Sequence, residues 1–298
     1  MDFSASSFTI SAYGEGCMYP SASQPVGTTI QTVQASGLTT VILSLMHIGR
    51  DYDISPTQIV GDLYYNNVLI ISEGRYVGDP SWIDPVSPNC INNLIAGSVT
   101  QVEMSVGGGG VKDFQTIRQI YQANGGSFTG TNLYDNFVAL KNTLPVVSLI
   151  DMDCEETYDQ ASFVAFCQML IEIGFRITFC PYTYYSFWTG SLTALENSNP
   201  GSVVWWNLQC YDGGNGNDPQ QWAGYITDAI PSFNTAGYIL AGDWTDDSPA
   251  QMQALMQTFS MESAAGGGFI WTIDSAISGD AHGDLAAYVS AIENGLRP

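Results

Sequence analysis

What most constrains this chain is a recurring alternation, in which short apolar, β-branched runs are separated by segments with helical periodicity. Eight runs are predicted as strands, at residues 8–12, 39–45, 99–106, 146–152, 176–180, 203–209, 237–241 and 267–272. Helical patterns lie between them at 113–124, 133–142, 159–173, 219–229, 249–263 and 282–294. Asp159 and Ser248 stand at N-cap positions, and Gly174 follows a helix C-terminus. Helical crossovers make successive strands parallel, so the expected fold is α/β, a (β/α)8 TIM barrel. Residues 55–77 break the rhythm: they are strand-like on both sides of Asn66-Asn67, a strand-like insertion after the second strand. No linker or internal repeat divides the 298 residues, and 1–298 reads as a single domain.

Charge then narrows the partners. Seven Lys and Arg face 29 Asp and Glu, a net charge of −22 at pH 7. Such a polyanion repels phosphate backbones and anionic lipid surfaces, so neither nucleic acid nor membrane is expected as a partner and a neutral substrate fits better. Protein partners leave no trace. No apolar run approaches the roughly 20 residues that span a bilayer. The first seven residues carry no Lys or Arg and show no secretory signal, so the expectation is a soluble protein, cytoplasmic or exported by a route without an N-terminal mark. The six cysteines form no CxxC pair and read as reduced core residues.

The chemistry concentrates at the end of the fourth run, in Ser148-Leu149-Ile150-Asp151-Met152-Asp153-Cys154-Glu155. Side chains of a strand alternate faces, which places Asp151, Asp153 and Glu155 in one column toward the strand's C-terminal end. In a barrel that end is the catalytic face. Stacked carboxyls cannot all ionise, and mutual repulsion with burial keeps one protonated as a general acid. Taken alone, the pattern suits a solvated acidic loop equally well. By the same alternation Glu103 shares a face with Ser105, which would place a further carboxyl inside the barrel near the base of the column.

Other chemistries lack their patterns. The glycines 107–110 have neither the P-loop lysine nor dinucleotide-fingerprint spacing. His47 and His282 form no HExxH site, and there is no G-x-S-x-G elbow, so neither metal nor cofactor is expected.

Asp151-x-Asp153-x-Glu155 resembles the DxxDxDxE motif of family 18 glycoside hydrolases, the chitinases and endo-β-N-acetylglucosaminidases. Ser105-Val106-Gly107-Gly108 is similar to the SxGG motif of the third barrel strand, Gln209-Cys210-Tyr211-Asp212 to the QxYD motif after the sixth, and Gly267-Gly268-Phe269-Ile270-Trp271 to the last strand with its tryptophan. The first Asp of the long motif is Ser148 here and the following Gly is Leu149.

The resemblance implies retaining, substrate-assisted hydrolysis of links next to N-acetylglucosamine, in chitin or chitooligosaccharides, with N-glycan chitobiose cores as the nearest alternative and a carbohydrate-binding lectin on the same barrel as a third. Glu155 would be the acid. Asp153 would hold the acetamido group and share a proton with Asp151, and Tyr211 would orient the acetamido oxygen. Trp271 would floor the sugar site, with Asp212, Gln209, Tyr13, Tyr182 and Trp244 as further substrate contacts. Trp82, Tyr184, Tyr185 and Trp188 also fall in apparent strand-to-helix loops, where sugar rings stack.

Overall fold

The computed structural model describes residues 8–20, 25–48 and 59–297. Strands β1 (Thr9–Gly14), β2 (Thr40–His47), β6 (Gln101–Gly107), β7 (Val147–Asp153), β8 (Arg176–Phe179), β9 (Val203–Gln209), β10 (Ile239–Trp244) and β11 (Ala265–Trp271) pair in parallel, and β1 meets both β11 and β2, closing an eight-stranded ring. Three short strands, β3 (Leu63–Tyr65), β4 (Val68–Ser72) and β5 (Arg75–Tyr76), extend the sheet antiparallel from the outer end of β2. This is the expected insertion, turning at Asn66-Asn67 with Asn66 at φ 50°; residues 55–58 of that expectation lie outside the described residues.

Helix α1 (Val26–Ala35) follows β1, and α2 (Asp113–Ala123) and α3 (Asn132–Thr143) follow β6. The remaining helices are α4 (Gln160–Ile173), α5 (Tyr185–Ser198), α6 (Pro219–Ala229), α7 (Pro249–Thr258), α8 (Ile273–Ser278) and α9 (Leu285–Leu296). Capping follows the sequence. Asp159 accepts from the Ser162 amide to start α4, Gly174 ends it at φ 105°, and Ser248 with Gln251 forms a reciprocal capping box on α7.

Alternation along each strand divides the buried residues into two cores. Outward residues such as Val102, Met104, Ile150 and Met152 pack with helix residues such as Phe163 and Phe166 in the shell between ring and helices. Fully burying each such side chain contributes about 1.5–3 kcal/mol. The inward residues Tyr13, Ile42, Cys180, Leu240 and Phe269 form a separate cluster, with Trp205, Tyr211 and Trp271 packed against it. The C-terminal strand ends above that inner cluster frame the site.

Candidate active site

Register sets the geometry. Ser105 pairs with Asp151 and Gly107 with Asp153 across β6 and β7, and Asp151 pairs with Thr178 on β8. Gly107, at φ 112°, lets β6 press against β7: a Cβ there would sit 2.1 Å from the Asp153 carbonyl oxygen.

Asp151 is fully buried and ringed by donors. Tyr13 Oη and Ser105 Oγ donate to Oδ2 at 2.9 and 2.8 Å, Asn207 Nδ2 lies 3.0 Å from Oδ1, and Thr178 Oγ1 lies 2.9 Å from the same oxygen. Asn207 is oriented by Trp205 Nε1, which donates to its Oδ1 at 3.1 Å. Burial pushes the Asp151 carboxyl up, while these four partners oppose the shift. Asp153, 4% exposed, is driven well above the ordinary carboxylate range by burial first, then by Glu155 and Asp151. Glu155, half-buried at the mouth, is raised by burial, and Gln209 counters part of the shift. One amide spans the upper pair, with Gln209 Nε2 3.2 Å from Asp153 Oδ1 and 3.4 Å from Glu155 Oε1. Donors thus converge on the base of the column, and the upward pull on the carboxyls is stronger at Asp153 above it.

Above it opens a cavity of about 450 Å³ lined by Asp153, Glu155, Gln209, Tyr211, Asp212, Tyr182, Trp244 and Trp271, together with Glu15, Leu45 and glycines 108, 109 and 213. Tyr211 stacks on Trp244 with ring centroids 5.7 Å apart. The volume and the mix of aromatic faces with convergent polar groups suit a sugar ring.

Several placements differ from expectation. Tyr13 lies inside β1, 1% exposed; its hydroxyl meets Asp151 and Cys180 Sγ, and its ring packs at 5.3 Å from Trp271, so it stands beneath the cavity floor and does not line the cavity. Trp244 is the last residue of β10, not part of a loop. Trp82 and Trp188 are fully buried core residues, with Trp82 Nε1 donating to the Met18 carbonyl and Trp188 Nε1 to that of Thr183. Tyr184 and Tyr185 are exposed; Tyr185 opens α5 and stacks on Tyr225 at 4.1 Å, away from the cavity lining.

Sequence reasoning missed Glu15 and Leu45 in the lining. Glu15 stands two residues beyond Tyr13, and continuing the strand alternation would have found it. Burial and Asp274 raise it to about 7, with His47 opposing. Ser148, where the family motif has Asp, points away from the column and shares contacts at 3.4 Å with the Val102 carbonyl and Gln101. Glu103 does face the interior. It is fully buried, with Oε2 2.7 Å from Thr178 Oγ1.

No family model and no curated protein matches the chain. Solved structures do. A fungal endo-β-N-acetylglucosaminidase from glycosyl hydrolase family 18 superposes with a TM-score of 0.66 at 18% identity, over 97% of this chain and 98% of its own. The catalytic domain of a family 18 chitinase from the fern Peteris ryukyuensis gives 0.56 at 15% identity, over 96% and 99%. The catalytic domain of a hyperthermophilic chitinase from Pyrococcus furiosus gives 0.60 at 12%, over 97% and 95%. With the closed ring of eight parallel strands already in view, these full-length superpositions establish that the chain has the (β/α)8 fold of the family 18 glycoside hydrolases.

Proposed function

We propose that this protein is a retaining glycoside hydrolase that cleaves β-1,4 links beside N-acetylglucosamine by substrate assistance, with chitin or chitooligosaccharides as substrate. The observation that carries this reading is the column of Asp151, Asp153 and Glu155 rising from a donor-ringed base into an aromatic-walled cavity. Chito-oligosaccharides bind a catalytic-site mutant of the Pyrococcus furiosus chitinase, one of the structures with the same fold.

Glu155, whose carboxyl burial pushes above the ordinary range, is the acid that donates to the departing glycosidic oxygen. The sugar's own acetamido oxygen attacks the anomeric carbon from the opposite face, so the protein supplies no nucleophile. Asp153 accepts the acetamido N–H and, once ionised, stabilises the positive oxazolinium ion. Tyr211 donates to the acetamido oxygen and fixes its line of attack. Trp271 supports the apolar face of the sugar. Water activated by Glu155, now a base, opens the oxazolinium ion with net retention.

Cleavage within N-glycan chitobiose cores is the second reading, favoured by the higher TM-score with the fungal endo-β-N-acetylglucosaminidase, 0.66 against 0.56 and 0.60. The deciding experiment is fluorophore release from chitobiose and chitotriose glycosides across pH 4–8, run beside a high-mannose glycopeptide. Release is expected to fall by about 10²–10⁴ in Glu155→Gln. Wild-type inactivity on all three, with chitooligosaccharide binding that survives the substitution, would make this a lectin on the same barrel.

A further inference from the structure

Beneath the column lies a carboxyl group that the proposed reaction does not use. Glu103 is fully buried on β6, and its Oε2 is 2.7 Å from Thr178 Oγ1, which is itself 2.9 Å from Asp151 Oδ1. One hydroxyl thus stands between two buried carboxyl groups. It has a single hydrogen and can donate to one of them only; toward the other it must accept. Two ionised carboxylates would leave one of these short contacts as acceptor against acceptor, so at least one group carries a proton.

The surroundings decide which. Asp151 has Tyr13, Ser105 and Asn207 in addition to Thr178. Glu103 has Thr178 and, more weakly, the Asn207 amide that also serves Asp151, and its Oε1 meets no hydrogen-bond partner. An ionised carboxylate needs donors once it is out of water, so the charge belongs on Asp151 and the proton on Glu103. The titratable groups facing this pair are Tyr13 on β1, Cys180 just past the end of β8 and Asp153 above Asp151 on β7; β2 presents Ile42 in register with Glu103, and β9 presents neutral Asn207. Burial first, and then Asp151, holds Glu103 well above the ordinary carboxylate range, in agreement with the geometry.

We propose that Glu103 is a proton-storing positioning residue, which passes its proton through the Thr178 hydroxyl to Asp151 when Asp153 ionises. This rests on the hydrolase reading above. In the transfer, the Glu103 O–H bond breaks as a bond to Thr178 Oγ1 forms, and the original Thr178 O–H bond breaks as Asp151 gains the proton. The proton that Asp153 gives up passes to water in the cavity it lines, and the negative charge of the buried pair moves from Asp151 to Glu103, one step further from Asp153, which then carries the charge opposite the oxazolinium ion.

The test combines a spectrum with a pH profile. In Glu103→Gln the side-chain amide donates to Thr178 permanently and holds no transferable proton. The infrared difference between wild type and this variant at pH 7 is expected to show the loss of one protonated-carboxyl C=O band. On the chitotriose glycoside, kcat is expected to fall about tenfold. The acid limb of its pH profile is expected to move upward by about half a unit or more, because a charge fixed on Asp151 opposes ionisation of Asp153. Thr178→Val should give the same limb shift while keeping the Glu103 band. Absence of that band in wild type, or an unmoved limb in both variants, overturns the proposal. If the wild type hydrolyses nothing, the hydrolase reading fails by itself. The infrared titration of Asp151 in wild type and Thr178→Val then decides whether the two carboxyls are coupled, and an unchanged titration overturns the coupling.

Discussion

Inside the ring, the arc from β6 to β9 carries Glu103, Ser105, Asp151, Thr178 and Asn207, whereas the arc from β10 through β11 and β1 to β2 carries Leu240, Phe269, Tyr13 and Ile42; all are buried to about the same degree. One side is a hydrogen-bonded polar network and the other is mainly aromatic and aliphatic, with the small hydroxyls of Ser11 and Ser44 among the rings. Burial alone therefore says little about what an interior residue contributes. On the apolar side, stability comes from filled volume: a Cβ at Gly242 would fall 2.0 Å from the Phe269 ring. On the polar side it comes from matched donors and acceptors, and the same groups set the charge beneath the cavity. Tyr13 belongs to both, with its ring against Phe269 and its hydroxyl on Asp151.

Removing volume should have the largest effect on stability. Phe269→Ala is expected to cost about 3–5 kcal/mol, read as a fall in Tm of about 10 °C, with a similar loss at pH 5 and pH 8. A loss under 1 kcal/mol would show that the apolar side is not packed as described. Asp151→Asn preserves size but turns an amide toward four donors. About 2 kcal/mol should be lost in urea unfolding, and hydrolysis of the chitotriose glycoside should fall by about 100-fold. Equal or greater stability would mean that the network was already costly when charged. Tyr13→Phe removes one of the four donors and leaves the ring in place, so a loss of about 1 kcal/mol separates its two roles.

The smallest effect concerns pH. Glu15 is raised from 4.5 to about 7, chiefly by burial. Stability linked to its proton is fully present below the unfolded value and is lost as pH rises through the folded one. The wild-type Tm should therefore drop between pH 5 and pH 8, and Glu15→Gln should drop by a degree or two less. Parallel curves would remove Glu15 from the account.

The barrel strands and the insertion were legible because apolar periodicity reports burial directly. The predicted run at 146–152 and the observed β7, Val147–Asp153, differ by one residue at each end. The acidic column followed from the same alternation. Aromatic residues were harder to place: Trp82, Trp188 and Tyr13 share with Trp244 and Tyr182 a large apolar ring and a polar tip, and only tertiary packing sorts floor from core. Helix α5 begins Tyr185-Ser186-Phe187-Trp188, residues of modest helix propensity, and it carries Trp188 into the shell. Chain order alone also gave no view of Thr178, whose hydroxyl joins carboxyls contributed by two other strands.

The insertion carries a consequence for self-association. Because β1 and β2 close the ring, the extended sheet among the described residues has its free margin at β5, a strand of two residues, Arg75 and Tyr76. Just before it, Gly74 donates its amide to Asn136 Oδ1 of α3, and the Asn136 amide nitrogen in turn donates to the Gly61 carbonyl. A margin of two residues offers too short a row of backbone groups to template a strand from another molecule. With a charge of −22 repelling like copies as well, a second molecule of this protein finds little to pair with along this margin, even in concentrated solution.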